Sequence, residues 1–219
     1  PILSNVLLEK HGDRLTLLAT DIEIQITTST AVAVGEGDGA VTVGARKLQE
    51  ILRSLPETTE VSLVLEDKRL QVRAGKSKFS LQTLPADDFP RMTINEGETK
   101  EFQLTQKAFR QLLGKTQYSM AAQDVRYYLN GLMLLVDGKE LRAVATDGHR
   151  LAYASVEIEA DLPRQELILP RKTVLELNRL LSDNEEPLKI TLAANQIQFA
   201  FGSVVLVSKL IDGKFPDYE

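Results

Sequence analysis

The chain has 219 residues, 43% of them apolar and 26% charged, with a formal net charge of −5; this composition sustains one large core or two small ones and is too apolar for a disordered polymer. The absence of cysteine removes disulfides, thiolate nucleophiles and thiolate metal ligands. No apolar run approaches the roughly eighteen residues of a membrane span and no signal peptide is recognisable, so a cytoplasmic, reducing setting and no membrane partner are expected.

Taken in chain order, the first elements are short β-type runs at 6–8, 15–19 and 23–27, turned around Gly12. Residues 35–39, with Gly35, Gly37 and Gly39, lack apolar anchors and read as a loop. Over 46–55 the spacing of Leu48, Ile51, Leu52 and Leu55 predicts a helix ended by Pro56. Strand character returns at 61–65, 70–73 and 78–83. A second helix is predicted over 105–118, with Thr105 as its N-cap and Phe109, Leu112, Leu113 and Thr116 on one face. Residues 119–124 read as an exposed loop. A third helix is predicted over 171–181. The order of the first half recurs because the chain repeats itself at one ungapped offset: Ala19-Thr20-Asp21 falls on Ala145-Thr146-Asp147, Gly12 on Gly138, and Phe89-Pro90 on Phe215-Pro216. Two copies of one domain are expected, 1–97 and 98–219. The counterpart of the 105–118 helix would precede Pro1, so the first copy is expected to lack its opening helix.

Charge is distributed unevenly between helices and the rest. The predicted helices carry +2, +3 and +2, together +7 against −5 for the whole, which leaves −12 on everything else. In each, the Lys and Arg positions lie away from the apolar face. One such helix is an ordinary solvated face; three in an acidic chain point to a surface that attracts phosphates without reading sequence.

Gln123-Asp124-Val125-Arg126-Tyr127-Tyr128-Leu129-Asn130-Gly131, Ala145-Thr146-Asp147-Gly148-His149-Arg150-Leu151, Leu169-Pro170-Arg171-Lys172 and the run from Ser208 to Tyr218 resemble the bacterial sliding clamps, the beta subunits of DNA polymerase III. The resemblance covers essentially the whole chain. It implies an α+β fold of repeated processivity-clamp domains, with basic helices on the inner face and antiparallel β-sheets outside. It also implies most of a first domain, without its N-terminal helix, nearly all of a second domain and no third. A family subunit pairs head-to-tail into a ring around duplex DNA, independent of base sequence, so a homodimer is expected at full length while this span alone should not close. By the same resemblance, Ile51, Leu55, Phe79 and Leu81 face the partner subunit. Arg46, Gln123, Tyr127, Tyr128 and Arg171 contact DNA. Leu129, Thr146, Gly148, His149, Arg150, Leu151 and Pro216 form a pocket for a short peptide motif of polymerase subunits, clamp loader and repair proteins. No cofactor, no metal and no catalytic residue are implied: the function is processivity, not chemistry.

Other readings of these residues stand beside this one. On a strand, Tyr127 and Tyr128 would point to opposite faces, one of them into the core. Leu129, Leu151 and Pro216 could be plain core. Asp147 with His149 could suggest a hydrolase, although no nucleophile elbow accompanies them; the Thr-Asp of both copies favours a structural turn. A repeat-built protein-binding scaffold without DNA is a further alternative. Gly114-Lys115-Thr116 imitates the end of a phosphate-binding loop, but Phe109 stands where the pattern needs glycine.

Overall fold

The computed structural model describes residues 2–33, 35–94 and 97–219. The chain divides into two compact units, Pro1–Arg91 and Met92–Glu219.

The first unit opens with β1 (Asn5–His11) and β2 (Arg14–Thr20), an antiparallel pair turned at Gly12, whose φ of +57° costs glycine little. β3 (Ile24–Ala31) pairs with β2, and β4 (Gly39–Gly44) returns to the free edge of β1. After α1 (Ala45–Ser54) come β5 (Val61–Glu66), β6 (Arg69–Ala74) and β7 (Ser77–Pro85), which pair in sequence before β7 joins β4. The spatial order is β5-β6-β7-β4-β1-β2-β3, antiparallel at every step. Successive side chains of β1 alternate between faces, and both faces are covered. Val6 and Leu8 meet Leu48 and Ile51 of α1 together with Val43, Leu70, Val72 and Leu81, while Leu7 meets Leu18 and Phe89. Each such side chain contributes about 1.5–3 kcal/mol by leaving water. The helix therefore turns Arg46, Lys47 and Arg53 outward, as its periodicity predicts.

The second unit starts with β8 (Lys100–Thr105), which runs into α2 (Gln106–Thr116). Thr105 is the N-cap, its hydroxyl accepting from the Ala108 N–H at 3.1 Å; the N–H groups of Gln106 and Lys107 donate to the carbonyls of Glu186 and Asn184. β9 (Gly131–Thr146) and β10 (Leu151–Pro170) form a long antiparallel ribbon. It is followed by α3 (Arg171–Leu180), β11 (Pro187–Leu192), β12 (Gln196–Phe201) and β13 (Val204–Lys209). These last strands complete an antiparallel sheet in the order β13-β12-β11-β8.

The internal repeat is visible in these elements. β9 occupies the span equivalent to β1 and β2, with Gly138 at φ +56° where Gly12 stands, and β10 occupies that of β3 and β4. Two slips in the register of β10, between Glu157 and Leu162 and between Leu162 and Gln165, absorb the loop that separates β3 from β4. At Gly131 the backbones approach so closely that a Cβ would overlap the Leu169 carbonyl oxygen. α2 and α3 lie side by side against the ribbon. Phe109 of α2 meets Phe199 of β12 at 5.6 Å between ring centroids, and buried Thr173 of α3 shares a 2.6 Å hydrogen bond with Ser208 of β13. The three helices lie within two residues of their predicted bounds.

Two expectations are corrected. Ser119, Met120 and Ala121 are buried, so the exposed loop begins only at Ala122. Tyr127 and Tyr128 lie on a 3-10 turn, Tyr127–Leu129, rather than a strand, so period-two alternation does not place their rings. No helix among the described residues is long and apolar enough to cross a membrane.

Candidate functional site

The residues expected to take part in binding gather most densely in the second unit, at two neighbouring segments: the loop 122–130 and the tight turn joining β9 to β10. The turn is built from Thr146 and Asp147. The Thr146 hydroxyl donates to the Arg150 carbonyl at 2.7 Å and accepts from the Gly148 N–H at 3.1 Å. The Asp147 carboxylate accepts from the N–H groups of His149 (2.9 Å) and Arg150 (3.0 Å), and from the Arg150 Nε at 3.1 Å. Those backbone donors, first His149 and then Arg150, hold its pKa below the ordinary carboxylate value. A carboxylate with its lone pairs so occupied shapes a turn and is a poor proton acceptor, and His149 reaches it through the backbone N–H rather than the ring. The same turn occurs in the first unit: Thr20 donates to the Ile24 carbonyl at 2.8 Å and accepts from Ile22, and Asp21 accepts from Glu23 and Ile24 at 2.9 and 2.8 Å. Each turn needs one residue in the left-handed region, Gly148 at φ +88° and Ile22 at +70°. The repeated Thr-Asp is thus a folding device, as its recurrence in both copies indicates.

The turn presents its remaining side chains to solvent. Gly148, His149, Arg150 and Leu151 are exposed, Leu151 to 46%, and the Arg150 guanidinium lies 5.8 Å from the ring centre of exposed Tyr118. Pro216 is also exposed, whereas Thr146 is buried and Leu129 fully so. Leu129 belongs to a core cluster with Ala121, Met133, Leu135, Val144, Ile168 and Phe215. Of the seven residues expected around a peptide, five are therefore surface and two are foundation. A cleft of about 550 Å³ opens elsewhere in this unit, between residues 165–168 of β10 and residues 210–215, and none of the seven lines it.

The loop carries the residues expected at DNA. Gln123 is exposed and adopts φ +58°, a conformation rare outside glycine. Tyr127 is exposed and Tyr128 half-buried against the Leu129 cluster, their rings edge-on at 5.8 Å. Arg171, at the start of α3, is half-buried and donates from Nη1 to the Met120 carbonyl at 3.3 Å, so it braces the entry to this loop. Tyr153 and Tyr218 complete a set: all five tyrosines of the chain belong to this unit. Arg142 binds Glu140, the Tyr218 hydroxyl and Glu219, and lies 5.1 Å from the Tyr153 ring centre.

Outside this region, Arg46 is freely exposed on α1 and faces Glu50 at 3.5 Å. Ile51 and Leu81 sit in the core of the first unit, with Leu55 and Phe79 half-buried. The helix charges are only partly paired: Lys107 meets Glu185 and Arg179 meets Glu176, but among the described residues Arg53, Arg110 and Lys115 have no acidic partner. Gly114-Lys115-Thr116 lies inside and at the end of α2 and forms no phosphate loop. Among the described residues no group of three or more His, Asp or Glu could hold a metal ion.

Sequence reasoning missed Arg126 and Asp124. Arg126 donates to Asp124 from Nε (3.0 Å) and Nη2 (2.8 Å), and to the Asp147 carbonyl from Nη2 (3.3 Å), so it spans from loop to turn. Asp124 is held at a pKa of about 2, first by the Arg126 side chain and then by its N–H. The one sequence signal was the spacing Asp-x-Arg, common on any surface.

Comparison with known proteins bears on the same architecture. The family model for the N-terminal domain of the DNA polymerase III beta subunit matches residues 1–93, and that for its central domain matches residues 103–217. The beta sliding clamp of Salmonella typhimurium is 47% identical over 218 residues, covering 100% of this chain and 59% of that protein. That of Pseudomonas aeruginosa is 45% identical over 223 residues, covering 60% of its length. The crystal structure of the Pseudomonas aeruginosa DNA polymerase III subunit beta superposes with a TM-score of 0.96 at 44% identity, over 100% of this chain and 60% of that one. A sliding clamp from the same organism, solved bound to griselimycin, superposes at 0.94 over 100% of this chain and 59% of that one. The chain thus spans about three-fifths of the length of the relatives it matches. With both units matched in their natural order and nearly half the residues identical throughout, the chain belongs to the DNA polymerase III beta subunit family, the bacterial sliding clamps, and comprises its N-terminal and central domains.

Proposed function

We propose that the protein to which this chain belongs is a sliding clamp, a non-catalytic ring of two subunits that encircles duplex DNA and confers processivity on a replicative polymerase. The observation that carries this reading is the segregation of charge. The helices of an otherwise acidic chain carry its excess cations, and Arg53, Arg110 and Lys115 stand on their outward faces without acidic partners among the described residues. A loose cationic surface attracts phosphate by counterion release, and topological closure supplies retention that such contacts alone would not. Arg46, Gln123, Tyr127, Tyr128 and Arg171 are the proposed DNA contacts, with exposed Tyr127 suited to stacking on an unpaired base.

The turn Gly148–Leu151, together with Pro216, Leu129 and Thr146, is the proposed docking surface for a short peptide from polymerase subunits, the clamp loader or repair proteins. Leu151 and Pro216 supply apolar contact, and His149 and Arg150 supply direction. The griselimycin-bound relative supports a ligand-binding role for this family. Ile51, Leu55, Phe79 and Leu81 are the proposed edge toward a second subunit, through the exposed margins of Leu55 and Phe79. The deciding experiment is retention of the full-length protein, placed on nicked circular duplex DNA by a clamp loader. It should stay on the circle through gel filtration at moderate salt and leave within seconds of linearisation. Equal retention on both forms would sink the ring.

A further inference from the structure

We propose that Arg126 is a positioning residue that couples the two proposed contact surfaces of the second unit, fixing the Gln123 loop against the Gly148 turn so that DNA at one and peptide at the other change each other's affinity. This rests on the assignment of those surfaces under the proposed function. The guanidinium is shared between two chain segments that, among the described residues, no other side-chain hydrogen bond joins: a bidentate fork on the loop carboxylate of Asp124, and Nη2 on the carbonyl of Asp147 in the turn. A planar group held by three bonds transmits a displacement of either segment to the other.

Both anchorages are themselves fixed. The Asp124 N–H donates to the Asn130 side-chain oxygen at 2.9 Å, and the Asn130 side-chain amide donates back to the Asp124 carbonyl at 2.9 Å. That ring of bonds closes the loop immediately after Gln123 and holds its left-handed backbone. On the other side, a Cβ at Gly148 would stand 3.1 Å from both terminal nitrogens of Arg126, so the guanidinium packs closely on the turn and would have to shift by a few tenths of an ångström to admit a side chain there. The turn in the first unit has Ile22 at that point. Because the bridge holds loop and turn in one joint arrangement, a ligand that favours that arrangement at either surface favours it at the other, so the coupling is positive.

The competing role is a direct one: Arg126, with 46% of its side chain exposed, as one more phosphate ligand. Asp124→Asn separates the two. It removes a negative charge from the loop, so direct electrostatics strengthens DNA binding, while a weakened fork loosens both surfaces. In full-length protein, calorimetry with a short duplex at low salt and with a synthetic hexapeptide bearing leucine and phenylalanine anchors reads both affinities. Wild type should bind the hexapeptide roughly fivefold more tightly when saturated with duplex. Arg126→Lys, which keeps the charge and loses the fork, and Asp124→Asn should each abolish that enhancement and weaken both ligands. Retained enhancement in both variants overturns the proposal, as does tighter DNA binding by Asp124→Asn with peptide affinity unaltered. Gln123→Ala and His149→Ala test the surfaces themselves. If the first leaves DNA binding intact, or the second peptide binding, the assignment of surfaces fails. Hydrogen exchange at Arg126, Gly148 and His149 then judges the bridge alone: faster exchange at all three in Arg126→Lys upholds it, and unchanged exchange overturns it.

Discussion

At the scale of single residues, the two copies of the Thr-Asp turn make a paired experiment. Gly148→Ala forces a side chain into φ +88° and against Arg126, and about 1–3 kcal/mol of destabilisation is expected by thermal denaturation. Ile22→Gly does the opposite. It relieves a β-branched residue from the left-handed region at a site 48% exposed, so little burial is lost. Strain relief of about 1–2 kcal/mol exceeds the added chain entropy of roughly 0.4–1, and a small gain in stability is expected. Asp124 gives a prediction in pH. Its folded pKa of about 2 lies below that of an unfolded aspartate, so the ion pair with Arg126 stabilises the fold fully above the unfolded value. That contribution disappears as pH falls through the folded value, and is constant across the neutral range. Carboxyl carbon NMR should show Asp124 titrating near pH 2; a midpoint near the ordinary 3.8 would mean that the fork does not hold in solution. The repeated Thr-Asp turn was legible in the sequence, but the Asp124–Arg126 pair was not, because these residues acquire their meaning from Asp147 and Gly148, which only the fold brings beside them.

At the scale of elements, the sequence was far more informative. Leu48 and Ile51, or Phe109, Leu112 and Leu113, recur at helical spacing because one face of each helix is buried, and the cations fell on the other face accordingly. The Thr105 cap was readable for the same local reason. Thr105→Ala should cost about 1 kcal/mol, since loop carbonyls satisfy the neighbouring N–H groups but not that of Ala108. Phe109→Ala should cost about 3–5 kcal/mol by emptying the contact with Phe199, measured as a fall in the denaturant midpoint. The segment between α2 and β9 was misread because it lacks periodicity of either kind. Ser119 and Ala121 are small residues, and nothing in their identity announces burial beneath a 3-10 turn. Equally, the repeat sets Gly138 on the Gly12 turn, whereas β9 continues through Gly138 in the pairing with β10.

At the scale of the whole molecule, the repeat, the segregated charge and family membership support one reading. On the proposed function the basic helices are the surfaces that meet phosphate. The cations without an acidic partner among the described residues are then the ones to remove. Arg110→Ser together with Lys115→Ser, both exposed and distant from the buried face of α2, should leave the fold intact. The pair should shorten residence on linear duplex and flatten the dependence of binding on salt by roughly two phosphate contacts. Retention on closed circles should scarcely change, because encirclement does not depend on those bonds.

The placement of the tyrosines has a spectroscopic consequence. The chain has no tryptophan, and all five tyrosines belong to the second unit. Intrinsic emission excited near the phenol band therefore reports on that unit alone, leaving the first unit dark. Tyr118 under Arg150 and Tyr127 beside the Gln123 loop should register ligand binding without any label, and comparing emission with far-ultraviolet dichroism during denaturation should resolve the melting of one unit from that of the other.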